Sequence, residues 1–235
     1  MFKIEPENKI GELVARCGGI ARLFEEEGID YCCDGRESLR EACEEKGIDV
    51  KKFLHRVKEL DEEGIAEDTF STLTELIDHI VSTHHAFLRS EFPRLNNLTQ
   101  KVLNAHGDKD PRFLSLRETF LELSDELTQH MLKEEQILFP MIRKLEESKS
   151  VPEFHCGSIA YPIRQMEFEH EQAGSALYAL RELTDEYLVP DWACNTHKVM
   201  LASLADLERD LHQHIHKENN VLFPRAIGLE NEKCP

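Results

Sequence analysis

Apolar residues recur at spacings of three and four along most of the chain, and no alternating β-branched runs flank Asn-Gly or Asp-Gly turns. This pattern predicts an all-α protein. Four long segments carry it. The first runs from about Phe70 to Leu95, with Asp68, Thr69 or Ser71 as N-cap and Pro93 near its end. The second runs from Pro111 to Leu145, the third from Pro162 to about Tyr187, and the fourth from Trp192 to Phe223, closing at Pro224. Short loops join the first to the second and the third to the fourth, which predicts an up-down four-helix bundle over residues 70–235. Ahead of it, residues 10–60 hold three short amphipathic segments broken at GIDYCCDG and KGID. These predict a small helical domain over 1–60, near the lower size limit for an independent core. The acidic stretch that follows reads as a linker over 61–69.

The bundle region is internally duplicated. His130-Met-Leu-Lys-Glu134 and His214-Ile-His-Lys-Glu218 lie 84 residues apart, and Leu-Phe-Pro closes both at the same offset. Two further histidines, His85 and His170, lie 85 apart and precede these motifs by 45 and 44 residues. Two helical hairpins related by a pseudo-twofold axis would produce such spacing.

On a helix, positions i and i+4 share a face, so His and Glu of each motif can reach one ion. The face is the apolar one. Leu116, Phe120, Leu123, Leu127, His130, Glu134, Ile137 and Met141 form one stripe. Met200, Leu204, Leu207, Leu211, His214, Glu218 and Val221 form a second, and Ile163, Met166, His170, Ala173, Leu177 and Leu180 a third. A carboxylate on such a stripe costs several kcal/mol unless it is paired or bound to metal. A lone His or Glu there is usually a satisfied core group, but the duplication points to a dinuclear site. Imidazole and carboxylate together suit iron, manganese or zinc. If both carboxylates bridge, the six residues leave room for an oxo or hydroxo bridge and an open position at each ion. Only Glu167-x-x-His170 matches the ferritin-type pattern, and no His-Glu-x-x-His occurs, so a ferroxidase of that type and a zincin protease are both disfavoured.

The first helix offers two candidates. Its early apolar residues, Leu73, Ile77 and Ile80, turn His84 inward; the later ones, Val81, Leu88, Phe92 and Leu95, turn His85 inward, as does the repeat spacing. We take His85. His79 reads as a polar-face residue or an outer partner, and His212 and His216 flank the His214 stripe and are expected to face solvent. His55, His106, His155 and His197 fall in loops or polar segments.

Charge and cysteine content narrow the function. With 28 basic and 46 acidic residues the formal net charge is −18, which argues against a general nucleic-acid binder and against docking on anionic lipid. No segment has the length and apolarity of a membrane span or signal peptide, so a cytoplasmic protein is expected. Seven irregularly spaced cysteines do not form a secreted disulfide framework, and no Cys-x-x-Cys pair exists for a structural zinc. Cys17 and Cys43 read as core residues. Cys32 and Cys33 sit in DYCCDG, where the Asp34-Gly35 turn is expected to expose them as reduced thiols able to bind metal, nitrosyl or a partner's thiol. Buried small fillers are the alternative.

Through IGELV, IDYCCDG and SLREAC at the N-terminus, and LIDHI, HMLKEEQILFPMI, SIAYPIRQMEFEH and HIHKENNVLFPRA beyond it, the chain resembles the repair-of-iron-centres family, the ScdA/YtfE type. The resemblance covers nearly the full length. It implies a hemerythrin-like bundle holding two non-haem iron ions in an Fe–O–Fe type centre, with His85, His130, Glu134, His170, His214 and Glu218 as ligands and Glu134 and Glu218 bridging. It also implies repair of iron–sulfur proteins damaged by nitric oxide or peroxide, by delivery of iron, with Cys32 and Cys33 assisting. Asp34 stands where the family commonly has Gly. Two other chemistries fit the same centre: reduction of nitric oxide or peroxide, and carriage or sensing of oxygen or nitric oxide. A homodimer is compatible with the sequence.

Overall fold

The computed structural model describes residues 4–17, 19–61 and 70–234, with side chains throughout except 58–61. The expected linker beyond Asp61, with the capping candidates Asp68 and Thr69, lies outside the described residues. Among the described residues the protein is helical, and the sole β feature is an isolated bridge between Lys9 and Ser38.

Four short helices come first: α1 (Ile10–Arg16), α2 (Ile20–Glu27), α3 (Leu39–Glu45) and α4 (Val50–Asp61). The first of the three expected segments is thus two helices, broken after Cys17 where the sequence reads Cys-Gly-Gly. Gly28 ends α2 in the left-handed region (φ 66°), and Ser38 opens α3 through a capping box with Glu41. Ile10, Phe24, Tyr31, Leu39, Cys43 and Phe53 form the centre of this unit, all nearly inaccessible. Their cluster continues into the bundle through Leu177, Leu180, Leu204 and Leu211, so the small unit shares a core with its neighbour.

The bundle consists of four long helices, three of which contain one turn with i→i+5 hydrogen bonding, the π-helical arrangement. α5 joins Leu73–Ile80, a π turn at Val81–His85, and Ala86–His106. α6 joins Arg112–Lys133, a π turn at Glu134–Leu138, and Phe139–Glu147. α7 is Ala160–Leu183, and α8 joins Asn195–His216, a π turn at Lys217–Leu222, and Phe223–Lys233. α5 packs on α6 and α8, and α7 packs on α6 and α8.

Several boundaries differ from expectation. The N-cap of α5 is Thr72, selected by Glu75 three residues on. Pro93 does not end α5; Leu95, Thr99 and Val102 extend the buried stripe past it, and that packing outweighs the missing N–H. Pro224 likewise lies inside α8. Both Pro140 and Pro224 follow a π turn, where the hydrogen-bond ladder already slips and a residue without an N–H is tolerated. α7 stops at Leu183, and Asp185, Glu186 and Tyr187 all take positive φ (49°, 60° and 59°), so the expected extension to Tyr187 is a left-handed turn.

Glu146, near the end of α6, accepts hydrogen bonds from the backbone amides of Leu73 (2.7 Å) and Thr74 (2.9 Å), fixing the start of α5 to α6. Burial pushes its carboxyl up, but these donors and Arg225 outweigh burial and hold it below the ordinary range. Its charged form therefore stabilises the fold above the ordinary carboxylate pKa, and that contribution disappears as the pH falls through the lowered value. Glu146→Ala should lose ~1 kcal/mol at neutral pH by urea denaturation, the deficit shrinking in acid.

Candidate metal centre

The three π turns lie where the chemistry is. Each inserts one residue into the helical frame, and in α5 this resolves the choice between His84 and His85. Both are buried, at 2% and 0% exposure, because the frame slips between the two halves of the stripe. His84 Nδ1 meets Asp210 Oδ1 at 2.9 Å, and its ring stacks on His214. His85 Nε2 instead faces His214 Nε2 at 3.2 Å and Glu134 Oε2 at 3.3 Å. The same slip overturns the end of the α6 stripe. Ile137, expected inside, is 55% exposed, while Leu138, Phe139 and Ile142 are buried.

All six sequence-selected residues of the bundle converge. They form two overlapping groups whose candidate ligand atoms lie within 4.8 Å of one another: His85, Glu134, His214 and Glu218; and His130, Glu134, His170 and Glu218. Each carboxylate reaches into both. Glu134 turns Oε2 to His85 and Oε1 to His130, each at 3.3 Å; Glu218 turns Oε2 to His170 and Oε1 to His214, each at 3.2 Å. None of the six is more than 1% exposed.

A set of oriented partners, missed from sequence, controls these rings. His85 Nδ1 lies 2.6 Å from Glu135 Oε1, His130 Nδ1 2.8 Å from Glu169 Oε2, and His170 Nδ1 2.8 Å from Asn219 Oδ1. Carboxylate and amide oxygens accept, so these Nδ1 atoms donate and their Nε2 lone pairs point inward. The partners are sequence neighbours of ligand candidates: Glu135 follows Glu134, Glu169 precedes His170, and Asn219 follows Glu218. The one available signal was this adjacency.

An inner surface made of imidazole lone pairs and carboxylate oxygens has only acceptors. His130 and His170 present Nε2 to each other at 3.0 Å, and all four oxygens of Glu134 and Glu218 lack a hydrogen-bond partner among the described residues. Such a set requires protons or cations. Without cations, burial opposes protonation of His130, but Glu134 and Glu169 outweigh it and raise it to about 10. Burial pushes both glutamates up, yet the surrounding imidazoles hold both below the usual carboxylate range. The donor set suits a pair of divalent ions.

The cysteine loop lies directly against this centre. Cys32 is 2% exposed and Cys33 half-buried, correcting the expectation of an exposed pair. The loop is seated on the bundle rather than projecting from it. Asn219 Nδ2 donates to Cys32 O, and Asn220 Nδ2 donates to Tyr31 O and Cys32 O, all at 3.2 Å. Cys33 Sγ reaches 3.9 Å from His170 O. The same docking buries His216, which was expected in solvent, edge-on to Tyr31. Burial lowers it to about 4. His197 is also buried, among Phe113, His106 and Trp192, where a polar position was expected. Cys43 is a core residue as expected, and Cys17 packs at the core edge. All seven cysteines are free.

Residues 76–226 match the hemerythrin HHE cation-binding domain, and residues 6–61 match ScdA_N, a domain of unknown function. The chain is 37% identical over 225 residues to the iron-sulfur cluster repair protein YtfE of Escherichia coli O157:H7, covering 95% of this chain and 98% of that one. It is 36% identical over 226 residues to the YtfE of Musicola paradisiaca, with the same coverage. No described helix is long and apolar enough to cross a membrane. Hemerythrin-type domains bind iron, and with similarity this extensive over almost the whole of both chains, the protein belongs to the YtfE family of iron–sulfur cluster repair proteins.

Proposed function

We propose that this protein restores damaged iron–sulfur clusters in the cytoplasm by giving up ferrous iron from a two-iron centre in the bundle. The observation that carries the reading is the convergence of four imidazoles, three of them with Nδ1 committed outward, on two shared carboxylates whose oxygens lack a hydrogen-bond partner among the described residues. In this reading His85 and His214 hold one ion, His130 and His170 the other, and Glu134 and Glu218 bridge them. Bound there, the pair supplies labile divalent metal and open positions for small ligands such as nitric oxide or oxygen. The chain's own part is to orient and to exclude water. Glu135, Glu169 and Asn219 hold three imidazoles by Nδ1, and the buried Leu127, Leu138 and Leu211 stand about one helical turn from His130, Glu134 and His214. With both carboxylates shared, each ion would have four protein donors, two short of octahedral coordination, and those open positions favour exchange and release.

The Asn219 contact gives a graded test. Asn219→Ala should weaken iron binding by roughly tenfold or more, read by anaerobic competition with a ferrous chelator. The function itself is tested by anaerobic incubation of the iron-loaded protein with an iron–sulfur dehydratase inactivated by nitric oxide, with sulfide present. Recovery of dehydratase activity in proportion to iron supplied is expected. Continuous consumption of nitric oxide with an electron donor, without recovery, would replace donation by reduction of nitric oxide.

A further inference from the structure

Outside the bundle centre, one other group of side chains among the described residues has the spacing of metal ligands: Asp30, Cys32 and Cys33, whose donor atoms lie within 4.8 Å of one another. Cys32 Sγ and Cys33 Sγ are 3.7 Å apart and not bonded to each other. Two thiolates on one tetrahedral ion at a metal–sulfur distance of about 2.3 Å would be separated by about 3.8 Å. Asp30 holds the backbone that carries the two thiols. Its Oδ1 accepts from the amides of Cys32 (3.0 Å) and Cys33 (2.9 Å), and lies 3.0 Å from Cys32 Sγ. From the other side, Asn219 and Asn220 fix the Cys32 carbonyl.

Cys33 lines an acidic cleft of about 470 Å³, and Cys32 lies buried beside it. Asp34, Glu37, Glu45, Glu167 and Glu171 line it with Cys33; among the described lining residues Arg36 is the one cation, paired with Glu167 at 3.1 Å. Asn219 also lines the cleft, and its amide oxygen accepts from His170 of the bundle centre.

We propose that Cys32, Cys33 and Asp30 form a third cation site, taking one soft divalent ion such as ferrous iron, with the acidic cleft as its approach from solvent. Binding converts two thiols to thiolates, releases two protons to solvent or the cleft carboxylates, and changes no oxidation state. Thiolate donors select such an ion over magnesium or calcium. Three protein donors leave a position of a tetrahedral ion for the ligand of a recipient. Resting on the iron-donation reading, the use of this site is to receive iron leaving the bundle beside His170.

The test is anaerobic titration of the full-length, iron-loaded protein with cobalt(II). One equivalent should bind with a thiolate-to-cobalt charge-transfer band and release about two protons, with the bundle iron retained. Cys33→Ser and the Cys32→Ser/Cys33→Ser double variant should lose the band and weaken cobalt binding at least tenfold, and Asp30→Asn should weaken it with the band kept. Absence of the band in the wild type, or its persistence in the double variant, would overturn the site. Cys33→Ser should also slow iron release to a ferrous chelator several-fold, and an unchanged rate would overturn the relay role. Neither readout uses an acceptor cluster, so failure of cluster repair with an intact cobalt site would count against donation alone.

Discussion

Glu218→Gln should lower the iron content of the anaerobically loaded protein, on the two-iron proposal from about two ions per chain to about one or fewer. Glu218 places one oxygen in each His-bearing group, 3.2 Å from His170 Nε2 and 3.2 Å from His214 Nε2, so its loss removes a donor from both ions. Outer partners of metal ligands are worth roughly 10–100-fold in affinity, and a shared ligand should exceed ~100-fold. Gln keeps the volume and the fold, so circular dichroism should be unchanged, and the Tm gain on iron loading should largely vanish because that gain is binding free energy. His55→Ala, on an exposed face of α4, should retain the full complement. Metal analysis after desalting checks both. Two retained ions in Glu218→Gln would remove it from the ligand set.

The second large effect is expected at Gly35, which touches no candidate ligand. A Cβ there would lie 2.8 Å from Asn220 Cγ and 2.9 Å from Asn220 Nδ2, and one on Gly11 would lie 2.7 Å from the same Cγ. The two glycines are themselves joined, Gly11 N donating to Gly35 O at 2.9 Å. Gly35→Ala therefore evicts the Asn220 amide from its bonds to Tyr31, Cys32 and His216, at a cost on the order of 2 kcal/mol. The thiol loop should lift, and alkylation of the normally buried Cys32 should accelerate by about an order of magnitude at fixed pH. Adding Asn220→Ala to Gly35→Ala should cost little beyond Asn220→Ala alone, since the clash partner is gone. Independent, additive losses would show that the glycine is not there for Asn220.

Much of this architecture was legible from spacing. The 84-residue duplication placed His130, Glu134, His214 and Glu218, and the 85-residue pair supplied His85 and His170; the structure brings all six together. What spacing could not supply was a change of period. The conflict in α5, where early apolar residues turn His84 inward and later ones His85, is what one inserted residue produces, and the π turn at Val81–His85 lies at that point. Ile137 was misplaced for the same reason, because a fixed three-four count runs one residue out of frame beyond Glu134. His216, Cys32 and Cys33 were placed too far out by a different cause. Their burial depends on one unit docking on another, through Tyr31, Asn219 and Asn220, and helical periodicity within either unit carries no information about that contact.

The proposed donor role requires iron to move from this chain into a damaged cluster. It is tested most directly by loading the protein with ⁵⁷Fe and incubating it anaerobically with a nitric oxide-damaged iron–sulfur dehydratase, sulfide and unlabelled ferrous iron held at trace level. Mass spectrometry and Mössbauer spectroscopy of the re-isolated partners then locate the label. Iron donation should leave ⁵⁷Fe in the rebuilt cluster, with matching loss from the bundle. Label that stays on this chain while dehydratase activity returns would contradict it.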